Sequence, residues 1–229
     1  MNAPMRCFID FWVKGVEVDQ FSEILEALKR LGFSGAAIEV EEGLKQDFEE
    51  LRSRASELGL AIYRKLVLKP RGRGDLLRSL RENRGKFEVI TVLCENLEVA
   101  LVAARDSRVD TLIIPPKPRF RFDKGVAALI RNKVELPFSY FLDNKLAFLE
   151  TALDIVEILG RKIELIVSSG ASGVLGLRGP RELASLLQVL GVDLERALDS
   201  VSKIPEKLLK ENLLKLSKRY VSRGVIKLD

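Results

Sequence analysis

Several acidic side chains and one lysine that could do chemistry lie on or near the first three predicted strands. Asp10 and Glu39 come near the carboxyl ends of the first two strands, and Glu41 and Glu42 follow just beyond. Carboxylates grouped in this way could hold a Mg²⁺ ion, and Lys65 on the third strand could serve Mg²⁺-dependent or Schiff-base chemistry. Acidic residues at strand ends also commonly cap helices or pair with a nearby Lys or Arg. Both interpretations stay open on the sequence alone.

The chain contains no histidine, and this absence excludes several classes of active site. Ser-His-Asp and Cys-His nucleophiles, imidazole general bases and histidine-based metal clusters are all ruled out. Cys7 and Cys94 match no metal or redox spacing, so we expect two free, buried thiols. The known nucleotide-binding glycine fingerprints are not matched by Gly170, Gly173, Gly176 and Gly179.

Length and composition indicate one globular domain. The chain has 229 residues, of which 47% are hydrophobic and 31% charged, so it can bury a substantial core. The opening stretch MNAPMRCFID lacks the layout of a signal peptide, and no apolar run is long enough to cross a bilayer. We therefore expect a single domain over residues 1–229, a cytoplasmic location and no membrane partner.

Strand-like and helical patterns alternate along the chain. The strand-like runs are Arg6–Phe11, Gly35–Val40, Leu60–Leu68, Lys86–Leu93, Asp110–Ile114, Val134–Tyr140 and Ile163–Ser168. Continuous apolar strands covered by amphipathic helices are typical of a parallel sheet buried on both faces, either open or closed into a barrel. Even spacing of the units favours an α/β barrel of the TIM type, with about seven parallel strands and extra C-terminal helices. The last helix, which begins near Pro205, could close a barrel that lacks a clear eighth strand.

Positive charge is concentrated in the middle third of the chain. Residues 59–133 carry 17 Lys and Arg against 8 Asp and Glu. We single out the cations on two loops at the carboxyl ends of predicted strands, which are Lys69, Arg71, Arg73, Lys117, Arg119 and Arg121. Lys133, further along the chain, is added to this set. Such loops open onto the ligand-binding face of a parallel barrel, so the cations predict a nucleic-acid surface there. Phe120 and Phe122 could stack on unpaired bases, or they could pack under a helix beside a solvated basic face.

The C-terminal third carries a resemblance to a known family. A strand there ends in Ser-Ser-Gly, an Arg-x-Pro-Arg-Glu-Leu segment opens a helix, and Pro-Glu precedes the last helix. The matching residues are Ser168, Ser169, Gly170, Arg178, Pro180, Arg181, Glu182, Leu183, Gly191, Pro205 and Glu206. With this pattern the chain resembles the protein component 3 family of archaeal ribonuclease P, the counterpart of the eukaryotic thirty-kilodalton subunit. The resemblance covers nearly all of the chain and is densest at its C-terminus.

The resemblance implies a protein subunit of an endoribonuclease with no active site of its own. The family fold is related at a distance to metal-dependent phosphoesterases of the polymerase and histidinol phosphatase superfamily, which carry His-x-His where this chain has FIDFWV. The implied partners are ribonuclease P RNA, protein component 2, the other protein subunits and, indirectly, precursor tRNA. The RNA would remove the 5′ leader, and this chain would need no metal and no cofactor.

The loop after the seventh strand is a candidate phosphate site. Ser168 and Ser169 end that strand, and Arg178 and Arg181 flank the start of the next helix. Barrels often bind phosphate at this position, so we expect an RNA phosphate there. In the alternative interpretation the serines satisfy loose backbone groups and Arg178 pairs with a carboxylate.

Two classes of function therefore stay open. The first is an RNA-binding subunit that uses the cations and serines named above. The second is a small-molecule barrel enzyme that uses Asp10, Glu39 and Lys65.

Overall fold

Seven parallel strands form one sheet in sequential order, as predicted. We describe a computed structural model, which covers residues 6–15, 18–40, 45–217, 220–222 and 225–226. The strands are β1 (Ile9–Val13), β2 (Gly35–Glu39), β3 (Ala61–Leu68), β4 (Val89–Leu93), β5 (Thr111–Ile113), β6 (Lys133–Pro137) and β7 (Leu165–Ser168). The largest shift from prediction concerns β1, which begins three residues later than expected and continues through Trp12 and Val13. Asp10 therefore lies inside the strand rather than near its end.

Helices follow the strands and form the outer layer. They are α1 (Val18–Arg30), α2 (Lys45–Glu57), α3 (Arg73–Asn83), α4 (Leu97–Ala103), α5 (Lys124–Ala127), α6 (Phe138–Asp143), α7 (Lys145–Leu159), α8 (Pro180–Val189), α9 (Leu194–Asp199) and α10 (Lys203–Leu216). A 3₁₀ turn (Val174–Gly176) precedes α8, and a short hairpin of β8 (Tyr220–Ser222) and β9 (Val225–Ile226) follows α10. The side chains of Asn96, Asp123, Asn144 and Asp193 accept a backbone N–H at the starts of α4, α5, α7 and α9, as helix caps do.

The barrel closes between β1 and β7 without an eighth strand. At the carboxyl end of the strands, Gly170 N–H donates to the Trp12 carbonyl at 2.8 Å and Lys14 N–H donates to the Ala171 carbonyl at 2.8 Å. At the other end, Ile9 N–H donates to the Val201 carbonyl at 2.9 Å. The turn between α9 and α10 therefore supplies hydrogen bonds that an eighth strand would make.

Helix α10 covers the amino-terminal end of the barrel. Its Leu208 and Leu209 are buried and pack with Ile9 and Val89 at the starts of their strands. Asn212 fixes the helix further, because its side-chain amide donates to the Glu88 carbonyl at 2.9 Å. None of the helices in the described ranges is both long and apolar enough to cross a membrane.

The two cysteines differ in their surroundings. Both are free thiols, as predicted, but only Cys94 is buried, whereas Cys7 is exposed. The expectation of burial was wrong for Cys7 because this residue precedes β1 instead of lying within it.

Candidate nucleic-acid interface

A buried ion pair fills the middle of the barrel, beneath the carboxyl-terminal face where barrel enzymes place their active sites. Lys65 on β3 donates to both carboxylate oxygens of Glu135 on β6 at 2.7 Å and to the Phe11 carbonyl at 2.8 Å. Both side chains of the pair are completely buried. All three ammonium protons of Lys65 thus have an acceptor. Burial lowers the pKa of Lys65, and the facing carboxylate opposes that shift.

Hydroxyl groups complete the surroundings of the Glu135 carboxylate. Ser168 Oγ donates to Oε1 at 2.7 Å, and Thr111 Oγ1 donates to Oε2 at 2.9 Å. Thr91 and Thr111 share a further hydrogen bond of 2.6 Å. The polar atoms of this layer therefore satisfy one another, as buried polar groups must.

An apolar layer separates the ion pair from the carboxyl end of the barrel. It consists of Trp12, Val67, Leu93 and Ile113, all of them buried, with Tyr140 packed against them. The Trp12 indole N–H donates to Glu39 Oε2 at 2.8 Å. Lys65 is thus sealed beneath side chains, and the Glu39 carboxylate is occupied by a protein N–H.

The Asp10 carboxylate ties β1 to the end of β7. Its Oδ1 accepts the Ser169 N–H at 2.9 Å and the Trp12 N–H at 3.3 Å, whereas the buried Oδ2 has no partner in the described residues. Of the carboxylates expected to hold Mg²⁺, Glu41 and Glu42 fall outside the described residues. Within the described ranges, no three Cys, Asp or Glu side chains are grouped as metal ligands.

Burial raises the pKa of Asp10 to about 6, and this shift predicts a pH dependence of stability. An acid whose pKa is higher in the folded than in the unfolded chain binds more protons when folded, so its contribution to stability grows as pH falls. Between about pH 6 and pH 4 the native chain should gain about 1.4 kcal/mol per pH unit relative to Asp10→Asn. Urea unfolding of both proteins at several pH values measures this difference. A constant difference across that window would contradict the raised pKa.

Ser168 and Ser169 are completely buried, which contradicts their predicted contact with an RNA phosphate. Ser168 Oγ donates to Glu135, and Ser169 Oγ donates to the Trp12 carbonyl at 3.2 Å and accepts the Ala171 N–H at 3.1 Å. Ser169 thus satisfies main-chain groups where the barrel closes, as the alternative interpretation held, whereas Ser168 satisfies the carboxylate of Glu135.

The arginines of the same loop have different surroundings. Arg178 is half-buried, donates to the carbonyls of Leu175 and Leu177 at 2.8 and 2.7 Å, and lies 5.4 Å from the Phe138 ring. It therefore braces the 3₁₀ turn rather than pairing with a carboxylate. Arg181 is exposed, and its side chain has no partner in the described part of the chain.

Six cations that follow β3 and β5, the two strands on either side of β4, form what we call the basic rim. It consists of Lys69 and Arg71 between β3 and α3, of Arg73 at the start of α3, and of Lys117, Arg119 and Arg121 between β5 and α5. All six are exposed, and within the described ranges the hydrogen bonds at these residues use main-chain atoms only. Their side chains are thus free to meet an anion.

The turn between β4 and α4 joins the two halves of the basic rim. Asn96 donates to the Arg71 carbonyl at 3.4 Å, and the Glu95 carbonyl accepts the Arg119 N–H at 3.3 Å. Phe122 is buried and Phe120 packs against the core, so stacking on bases is not supported for Phe122. The structure brings the two basic runs together at the carboxyl ends of the strands, as expected from their positions.

Lys133 does not belong to the basic rim. It is the first residue of β6, so it lies at the opposite end of the barrel, and its Nζ pairs with Glu164 Oε2 at 2.7 Å. Its predicted place among the RNA-binding cations is therefore not supported. Sequence reasoning missed Glu135, whose only signal was an acidic residue inside an apolar strand.

Comparison with known proteins identifies a family whose model matches nearly the whole chain. The model of the family "RNase P subunit p30" matches residues 7–217. Ribonuclease P protein component 3 of Methanothermobacter thermautotrophicus is 29% identical over 222 residues, which cover 90% of this chain and 89% of the relative. The same component of Methanococcoides burtonii is 25% identical over 217 residues, with coverage of 89% and 86%.

The fold also matches a solved structure. A chain in the cryo-EM structure of archaeal ribonuclease P with mature tRNA superimposes with a TM-score of 0.83 at 20% sequence identity. The superposition covers 96% of this chain and 97% of that chain. The two chains therefore share their fold over nearly all of their length.

Proposed function

Because the chain belongs to the ribonuclease P subunit p30 family, we propose that it is an RNA-binding protein subunit of ribonuclease P. In this role it supports removal of the 5′ leader from precursor tRNA. The observation that carries the proposal is the basic rim at the end of the barrel where ligands usually bind. Its six exposed cations have no side-chain partner in the part of the chain that the structure describes. Cationic side chains stabilise folded RNA because they neutralise phosphates that approach one another closely.

The chemistry is assigned to the RNA and not to this chain. Lys65, the residue that a Schiff-base mechanism would need, is buried and ion-paired, and Glu39 and Asp10 accept protein N–H groups. A nucleophilic amine must be unprotonated and reachable by substrate, and the Glu135 carboxylate and the apolar layer oppose both conditions. The small-molecule enzyme is therefore the less favoured function.

The partners follow from the family. We infer that the chain binds ribonuclease P RNA, protein component 2 and the other protein subunits, and that it meets precursor tRNA through that assembly. Its similarity to a chain solved within archaeal ribonuclease P supports this inference. The named relatives are archaeal, and archaeal cells have no nucleus, so we place the assembly in the cytoplasm.

Reconstitution tests the proposed function directly. Ribonuclease P RNA and the other protein subunits are assembled with and without this chain, and cleavage of precursor tRNA is followed at moderate Mg²⁺ concentration. We expect the chain to raise the cleavage rate, and we expect the chain alone to cleave nothing. An unchanged rate, or cleavage in the absence of the RNA, would refute the proposal.

A further inference from the structure

A groove on the outer surface, between α3 and α4, begins where the basic rim ends. It has a volume of about 410 Å³ and is lined by Arg73, Leu77, Val102, Arg105 and Asp106, which we call the α3–α4 groove. Arg73 is both the first residue of α3 and a member of the basic rim. The volume falls in the range of sites that hold small ligands, so the groove has room for a nucleotide.

The charges lining the α3–α4 groove do not cancel. Arg73 makes no side-chain hydrogen bond within the described residues, and Arg105 bonds only through Nε, to the Leu101 carbonyl of its own helix at 3.0 Å. The terminal nitrogens of both guanidinium groups are thus unoccupied by the described part of the chain. Asp106 is already engaged, because Arg108 donates to its Oδ1 at 2.9 Å and to its Oδ2 at 2.6 Å. These hydrogen bonds also hold the pKa of Asp106 below its usual value.

Two arginines near the groove have acidic partners. Arg78 on α3 pairs with Asp75 at 3.0 Å, and Arg84 pairs with Asp110 at 2.6 Å. Arg81 on α3 is exposed and makes no ion pair within the described residues. The surface beside the groove therefore carries uncompensated positive charge in addition to that of the two groove arginines.

We propose that the α3–α4 groove binds the backbone of ribonuclease P RNA as the strand leaves the basic rim, an inference that rests on the proposed function. Arg73 and Arg105 hold a phosphate, because a guanidinium fork matches the geometry of phosphate oxygens. Leu77 and Val102, which are half-buried, contact the sugar or the face of a base. The unbalanced positive charge and the continuity with the basic rim favour RNA over a protein segment as the occupant.

A tethered probe tests whether RNA lies over the groove. Cys7 is exposed, so Cys7→Ser is used as the background. Ser107→Cys places an iron chelate beside Asp106, and Ser56→Cys places the same chelate on the exposed surface of α2 as a control. In the reconstituted particle, hydroxyl radicals from position 107 should cut ribonuclease P RNA, and those from position 56 should not. Lack of RNA cleavage from position 107, or cleavage of another protein subunit instead, would overturn the proposal.

A substitution pair separates this inference from the proposed function. Arg105→Ala should lower the affinity of the assembled protein subunits for ribonuclease P RNA by about 5- to 8-fold at 0.1 M salt. The slope of log affinity against log salt concentration should become less steep by about 0.7 to 0.9. Arg78→Ala, which removes an arginine already paired with Asp75, should change neither quantity measurably. If Arg105→Ala has no effect while loss of Arg119 and Arg121 weakens binding, the groove inference fails and the proposed function stands. If none of these substitutions has an effect, both fail.

Discussion

Glu135→Gln should lower the free energy of unfolding by about 3–5 kcal/mol, because it leaves Lys65 as a charge without a partner inside the barrel. Both side chains are fully buried, so water cannot compensate for the loss. The pKa of Lys65, already lowered by burial, should fall further in this variant. A lysine whose pKa is lower in the folded than in the unfolded chain binds fewer protons when folded, so stability rises with pH up to the ordinary lysine pKa of about 10.4. Urea unfolding at pH 7 and pH 9.5 should therefore show a smaller loss at the higher pH.

The matched control replaces both partners by apolar residues of similar size. Lys65→Met with Glu135→Leu should recover most of the lost stability, since well-packed apolar pairs often substitute for buried ion pairs. Recovery should be incomplete because Ser168 and Thr111 lose the acceptor for their hydroxyls. The double variant should still support cleavage of precursor tRNA, whereas a catalytic Lys65 would predict loss of activity. A cost below about 1 kcal/mol for Glu135→Gln would contradict a fully desolvated pair.

The barrel itself could be predicted, because strands that are buried on both faces are nearly continuous runs of apolar residues. Each of the seven strands corresponds to a strand-like run in the sequence, and the even spacing of these runs and the helices between them indicated a closed sheet. The pairing of Lys65 with Glu135 could not be predicted, since the partners are 70 residues apart and meet only through the stagger of β3 and β6. A charged residue inside an apolar strand shows that some partner exists, but not which one.

The exposure of the basic loops could be predicted from the sequence. The roles of the two serines at the end of β7, where the barrel closes, could not. Lys117 and Arg119 follow a strand in a proline-rich connection, and such segments lie on the surface. Ser168 and Ser169 also follow this rule of position, yet they are buried because β7 meets β1 at that point. Lys133 lies at the start of β6, and the predicted strand Val134–Tyr140 already placed it at the amino-terminal end of the barrel, away from the basic loops. Burial at a seam depends on the final contact between distant segments, which local patterns do not contain.

Loss of three cations from the basic rim should weaken RNA binding by the largest factor of any surface change. Each arginine that neutralises a phosphate releases counterions, so the triple substitution of Arg71, Arg119 and Arg121 by Ala should flatten the log–log salt dependence by about 2 to 3. At 0.1 M salt this corresponds to an affinity lower by about 10²-fold. The side chains of these arginines make no hydrogen bond within the described residues, so the melting temperature should stay nearly unchanged.

The control for that measurement removes the same net charge from the other end of the barrel. Lys203, Lys207 and Lys210 lie exposed on α10, which covers the amino-terminal end, and their replacement by Ala also lowers the charge by three. If the chain recognises RNA through the basic rim, this control should change the salt dependence only slightly, because charges beyond a Debye length of about 10 Å are screened at 0.1 M salt. Equal losses from both triple variants would mean that binding depends on net charge alone, and the basic rim would then lose its assigned role.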